Sequence, residues 1–230
     1  AGNSRPDINA WVSMHQRKSP TPLDLKAMYD LLEYVRQEPD AGVVLRPLPL
    51  NENDTLVVSY GDSGWANTDD LKSQTGGAVV LTTTKALKGT AGASMMFWKS
   101  CRTKRVVRST LAAESAAADD GVDNGFFISA FIGELVTGVQ ATDRRGMPPI
   151  KMVCVTDCKS LFDCLQKESP NISEKRTTID ILSIRQSLTR DGCRWVPTDL
   201  MWADALTKLD KTLRLKMRAW MQDPQVTLHD

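Results

Sequence analysis

At 230 residues, 41% hydrophobic and 25% charged, the chain has ample apolar material for a sizeable core and reads as a globular protein. Its 29 Lys and Arg nearly cancel 28 Asp and Glu, which excludes a global basic field, so any nucleic-acid partner must be held by a local patch. Five cysteines without a C-x-x-C pair argue against a disulfide framework or zinc knuckle, and neither a membrane-length apolar run nor a signal peptide is present, so an intracellular, non-secreted chain is expected.

Residues 5–37 read as helical. Thr21 and Pro22 form a cap and first-turn pair, Asp24 adds early negative charge, and Leu25, Met28, Tyr29, Leu32 and Val35 recur at helical spacing as an apolar stripe. Glu38 to Asn53, with Pro39, Gly42, Pro47 and Pro49, reads as a connector containing a short extended piece. From Thr55 the period changes. A strand is expected at Leu56–Tyr60, ending at Gly61-Asp62, a second from Gly76 to Thr84 and a third from Met95 to Arg102, linked as an antiparallel meander.

An Ala-rich helix from Thr110 to Thr137 follows, then a polar loop from Gly138 to Pro149 and an apolar strand from Lys151 to Thr156. Helices are expected at Lys159–Gln166 and Glu174–Leu188, a short strand at Cys193–Val196 and a helix starting near Thr198. Meander strands followed by alternating helix and strand make a mixed sheet with helices on its faces, an α/β fold.

Asp62 shares the strand face of Leu56, Val58 and Tyr60, and Asp157 closes the other strongly apolar strand. Glu114 lies in the first turn of the Ala-rich helix, on a face with Ala117, Ala118, Gly121 and Gly125 small enough for close approach to a sheet. Asp204 is placed on the last helix between Ala203 and Ala205. Carboxylates are the natural ligands of Mg²⁺, and two such ions roughly 4 Å apart can activate a water and stabilise a leaving oxygen in phosphoryl displacement. Such chemistry needs no His, which suits a chain with only His15 and His229. Against this stands a plain reading, since most acids are solvated and a strand-end Asp is often a turn former.

What singles these four acids out is the order of motifs around them. Tyr60-Gly-Asp-Ser-Gly-Trp-Ala66, Lys72-Ser-Gln-Thr-Gly-Gly77 and Phe97-Trp-Lys-Ser100 are followed by Arg108-Ser-Thr-Leu-Ala-Ala-Glu-Ser115 and Val155-Thr-Asp-Cys-Lys-Ser160. The series closes with Trp195-Val-Pro-Thr-Asp-Leu-Met-Trp-Ala-Asp-Ala-Leu-Thr-Lys208. Together they resemble the ribonuclease H domain of Ty1/copia-type retrotransposon Pol polyproteins, and Arg5-Pro-Asp-Ile8 resembles the motif ending the reverse-transcriptase part of the same polyproteins.

The resemblance implies a ribonuclease H-like mixed five-stranded sheet flanked by helices, over residues 51–215. A helical N-terminal extension (1–50) would be a reverse-transcriptase thumb or connection remnant, and 216–230 a C-terminal tail. It implies a metal-dependent endonuclease that hydrolyses the RNA strand of RNA–DNA hybrids. Asp62, Glu114, Asp157 and Asp204 would be the catalytic and metal-binding residues, and two Mg²⁺ ions (or Mn²⁺) the cofactor. Asp62 would bridge both ions, Glu114 and Asp157 would hold one and Asp204 the other. The implied partners are the hybrid and the reverse-transcriptase part of the polyprotein, with neither membrane nor small-molecule cofactor, in a cytoplasmic particle or the nucleus. The chain departs from the pattern at Gly64, where a second Asp is usual, at Ser115, where an aromatic is common, and at Met201, where Gln is frequent.

Lys99, Arg102, Lys104, Arg105 and Arg108 form the densest basic run and are the candidate nucleic-acid contacts, beside Phe97 and Trp98, with a charged strand edge as the plain alternative. Lys175, Arg176, Arg185 and Arg190 read as a helix exterior. Other readings rank lower. Gly61-Asp-Ser-Gly64 resembles a trypsin-like nucleophile segment around Ser63, but the only upstream base is His15 in a helix. Integrase-like transferases order their acids Asp, Asp, Glu rather than Asp, Glu, Asp, Asp. A catalytically decayed module that binds nucleic acid or tethers the polymerase is the alternative of a different class.

Overall fold

The structure is a computed structural model describing residues 4–16, 19–51, 53–68, 70–138, 150–168, 170, 172–188 and 192–228. All but the first residue of the polar loop read at Gly138–Pro149 lies outside these, as do Arg190 and His229.

Strands β1 (Thr55–Gly64), β2 (Gln74–Thr83) and β4 (Ser94–Arg102) form the expected antiparallel meander, interrupted by the short β3 (Thr90–Gly92). β5 (Met152–Thr156) pairs parallel to β1, and β6 (Cys193–Trp195) parallel to β5, giving a mixed five-stranded sheet in the order β4-β2-β1-β5-β6. Strand alternation sorts the core into two faces. Val57, Val79, Met152 and Cys154 pack under α3 (Thr110–Thr137), α4 (Lys159–Gln166) and α5 (Lys175–Ser187). Leu56, Val58, Tyr60, Val153 and Val155 face the segment around Trp202 and α6 (Lys211–Gln222), where Tyr60, Trp202 and Trp220 stack at 5.7 and 4.8 Å between ring centroids.

Helix α3 begins where its sequence says it should. The Ser109 hydroxyl accepts the Ala112 N–H as N-cap, and the helix ends at Gly138, whose φ of 71° is a left-handed conformation that costs glycine nothing. Its small-residue face lets it lie close on β1, with an added Cβ at Gly121 coming within 3.7 Å of Gly61.

Several sequence expectations need correction. Helix α2 (Pro22–Gln37) has the expected Thr21 cap, completed by Asp24 into a reciprocal capping box, but its buried face is rotated. Leu31 and Tyr34 are its buried apolar positions, with Met28 and Val35 of the expected stripe packed against them, while Leu25, Tyr29 and Leu32 are 57%, 64% and 51% exposed. Residues 5–37 split into a 3-10 turn (Pro6–Ile8), α1 (Asn9–His15) and α2. The connector contains no strand among its described residues, although the Val44 N–H donates to the Met221 carbonyl. No helix starts at Thr198; two 3-10 turns, Thr198–Leu200 and Trp202–Leu206, take its place.

The N-terminal helices are tied to the rest of the chain. Arg5 grips Asp7 through two nitrogens at 2.9 and 2.8 Å, and the Tyr34 hydroxyl donates to the same carboxylate. Arg214 of α6 lies over the rings of Tyr34 (4.0 Å) and Trp11 (5.0 Å), and Gln74 of β2 donates to Ser13. A boundary at 215/216 falls inside α6. Met217 and Met221 are buried, and β7 (Gln225–Thr227) pairs with β3, so residues 216–228 belong to the packed unit rather than to a tail. No helix among the described residues is long and apolar enough to cross a membrane.

Candidate active site

Four elements bring one acid each to the same end of the sheet. Asp62 lies within β1 rather than at its end, paired in register with Gly76 of β2. Gly76 is itself necessary there: a Cβ would stand 2.7 Å from the Leu206 Cβ and 2.9 Å from the Ala203 carbonyl oxygen. The missing side chain therefore lets the turn bearing Asp204 settle against the sheet. Asp204 sits in that 3-10 turn, not on a helix, and is buried. Glu114 is the fifth residue of α3 and buried, and Asp157 follows the last residue of β5.

Hydroxyls hold two of the acids in place. Thr207 donates to Asp62 Oδ2, and Thr198 donates to Asp157 Oδ2 at 2.9 Å, while the Trp195 indole donates to the Asp157 carbonyl. Asn67 links this region to the β1–β2 loop, donating to the Thr207 carbonyl and accepting from the Gln74 N–H. Lys208 Nζ lies 2.6 Å from Asp204 Oδ1, one helical-type i,i+4 step along.

The acids feel one another. Burial, and then the charges of Asp62, Asp157 and Asp204, push the Glu114 carboxyl up to about 9. Burial is also the main cause at Asp62, whose carboxyl is pushed up to about 6 against the lowering pull of the Thr207 hydroxyl. Asp157 is raised in the same way, burial outweighing its bond from Thr198. Burial alone would lower the Lys208 ammonium, but the bond to Asp204 and the nearby Asp62 and Asp157 outweigh it and raise the group.

Such a cluster suits a hard divalent cation. The donors are all carboxylate oxygens, the set that Mg²⁺ or Mn²⁺ prefers, and Glu114 Oε2 is buried without a hydrogen-bond partner among the described residues. As placed, no three His, Cys, Asp or Glu groups among the described residues close on one point where an ion would sit.

The basic run is divided by the fold. Lys99, Arg102, Lys104 and Arg105 line an open cleft of about 450 Å³ with Thr75, Cys101, Thr103, Asp120 and Arg176. Arg108 lines a separate cleft with Ser109, Cys164 and Glu174. Arg176, assigned by sequence to a plain helix exterior, thus joins the first cleft. Phe97 and Trp98 are half-buried, each packed against a different face of the core. The cations are partly neutralised by Asp120, Asp70 and Asp180 at 3.6, 3.5 and 3.8 Å from Lys99, Arg102 and Arg105.

Sequence reasoning gave Thr198, Thr207 and Lys208 no role. The i,i+4 spacing of Asp204 and Lys208 was the available signal. Two of the three departures are quiet: Ser115 is buried with its hydroxyl on the Ala112 carbonyl, and Met201 is buried in the core, whereas a Cβ at Gly64 would stand 2.2 Å from the Asn67 Nδ2. The serine-protease reading fails on geometry, because Ser63 is buried in β1 with its hydroxyl turned to the Gln74 carbonyl, while His15 is bonded to Asp24.

No family model and no curated protein matches the chain. Among solved structures it is similar to the N-terminal RNase H domain of a Mycobacterium tuberculosis protein, fused to maltose-binding protein. That likeness has 13% identity and a TM-score of 0.43, over 72% of this chain and 96% of that one. It is also similar to the foamy viral protease–reverse transcriptase in complex with an RNA/DNA hybrid, at 13% identity and a TM-score of 0.40, over 87% of this chain and 27% of that one. At these values neither likeness says what this chain does.

Proposed function

We propose that this chain is a metal-dependent endonuclease of the Ty1/copia ribonuclease H type, hydrolysing the RNA strand of RNA–DNA hybrids beside a reverse transcriptase. The observation that carries the reading is that Asp62, Glu114, Asp157 and Asp204, from four separate elements, lie near enough to feel one another's charge, with a buried Glu114 oxygen that has no hydrogen-bond partner among the described residues. These four would hold two Mg²⁺ ions, with Mn²⁺ as a substitute, and the ions would supply an activated water and charge stabilisation at the leaving oxygen.

The chain's own residues do the positioning. Thr207 and Thr198 fix one oxygen each of Asp62 and Asp157, and α3 carries Glu114 on a long helix packed against β1. The cleft between β4 and α5 offers Lys99, Arg102, Lys104, Arg105 and Arg176 to phosphates. Its ion pairs are long and partly exposed, so they are weak competitors for a polyanion.

The test is cleavage of a labelled RNA–DNA hybrid by the purified chain in Mg²⁺ and in Mn²⁺, with Asp157→Asn beside it. RNA-strand cutting that needs metal and disappears in the variant is the expected result. Binding without cutting in either metal would instead leave a decayed module that binds or tethers. In the same assay, neutralising Arg102 and Arg105 together should weaken hybrid binding and reduce its salt slope by about 1 for each phosphate no longer neutralised. An unchanged slope would remove the cleft from the substrate path.

A further inference from the structure

The carboxylate cluster contains its own cation. Lys208 Nζ rests on Asp204 Oδ1 at 2.6 Å, and its charge reaches Asp62, Glu114 and Asp157 as well. The two partners differ sharply in exposure, the Asp204 side chain at 2% and that of Lys208 at 45%. Asp204 is therefore fixed in place, whereas the lysine enters from solvent and has solvent to return to. Its ammonium occupies a carboxylate oxygen that a metal ion would need.

We propose that Lys208 is a tethered counter-cation, which holds the acids together when no metal is bound and leaves Asp204 when a divalent ion arrives. The inference rests on the metal-binding reading above and adds a consequence to it. A resident positive charge opposes the incoming ion both by repulsion and by claiming a ligand atom, so it sets metal affinity low. In exchange it spares the metal-free chain a cluster of buried, uncompensated carboxylates.

The experiment uses the full chain and Mn²⁺ alone, with binding read by calorimetry and by the spin-resonance signal of free Mn²⁺, and thermal midpoints taken in chelator. Lys208→Met, similar in length and uncharged, is expected to bind Mn²⁺ on the order of tenfold more tightly while its metal-free midpoint falls. Lys208→Arg, which keeps the charge, should return both values toward those of the unaltered chain. Equal or weaker Mn²⁺ binding by Lys208→Met than by the unaltered chain would overturn the lysine's role and leave the metal site standing. Should neither chain take up Mn²⁺, the metal site itself is wrong and the lysine has nothing to yield to.

Discussion

Asp62→Asn is expected to abolish cutting of the hybrid while raising the thermal midpoint of the metal-free protein. The two effects have one cause. Asp62 is buried beside Asp204, Glu114 and Asp157, and its charge contributes to pushing the Glu114 carboxyl up to about 9. An amide is nearly isosteric, can still accept the Thr207 hydroxyl through its oxygen, and removes a negative charge from a place short of compensation. Relief of order 1 kcal/mol corresponds to about 2–4 °C in a chain of this size. Activity should fall on the order of a thousandfold or more, as when a member of a catalytic unit is removed.

The pH dependence follows from the same carboxyls. Glu114 is protonated in the folded state up to about pH 9 but ionises in the unfolded chain above 4.5, and Asp62 behaves likewise between 3.8 and about 6. Between those limits the folded state binds more protons, so metal-free stability declines as pH rises. In Asp62→Asn the decline should be shallower, since one cause of the Glu114 shift is gone. Melts in chelator from pH 5 to 9, with cleavage in Mg²⁺ alongside, measure both. Retained cutting, or a lower metal-free midpoint than the unaltered chain, would refute the coupling of the four acids.

What the sequence disclosed, and what it hid, divides along physical lines. Helix α3 was legible to its last residue because its limits are local: a Ser109 hydroxyl on one side and a left-handed Gly138 on the other. Strands β1, β2 and β4 are legible as short apolar runs separated by polar, Gly-containing turns. The buried face of α2 is legible only in part, at Met28 and Val35 but not at Leu25, Tyr29 or Leu32, because that helix carries apolar residues on two sides. Only its partners in space, Ile8 and Trp11 from the preceding segment and Arg214 from α6, select Leu31 and Tyr34. The four acids of the site stand out by motif order, not by spacing. Arg176 could not be placed because its cleft neighbours lie on β4, some seventy residues earlier in the chain. Lys208 stands in the sequence only as the last residue of the closing motif, since the burial of Asp204 that gives it meaning depends on the turn lying over Gly76.

Helix α3 lies hard against β1 at Gly61. Gly61 and Gly77 face each other across β1 and β2, and composition gives no reason to treat them differently. Space does. A Cβ on Gly61 would stand 2.4 Å from the Ala117 carbonyl oxygen, 2.8 Å from its carbon and 3.0 Å from the Ala118 Cα, all backbone atoms of α3 that cannot turn aside. A Cβ on Gly77 would meet only the Tyr60 carbonyl oxygen at 3.8 Å, an ordinary contact. Gly61→Ala must therefore push α3 off β1, and is expected to cost about 3 kcal/mol, lowering the midpoint by roughly 6–12 °C. Gly77→Ala should stay within about 0.5 kcal/mol, because a strand gains from the narrower unfolded ensemble of alanine. The displaced helix carries Glu114 one turn before Ala117, so Gly61→Ala should also lose cutting at temperatures where it remains folded, a shift of about 1 Å being enough for roughly a hundredfold. Denaturant melts and cleavage rates of the two variants side by side decide it: equal stabilities would mean that α3 does not rest on Gly61, and full activity in a destabilised Gly61→Ala would mean that Glu114 is not held by that contact.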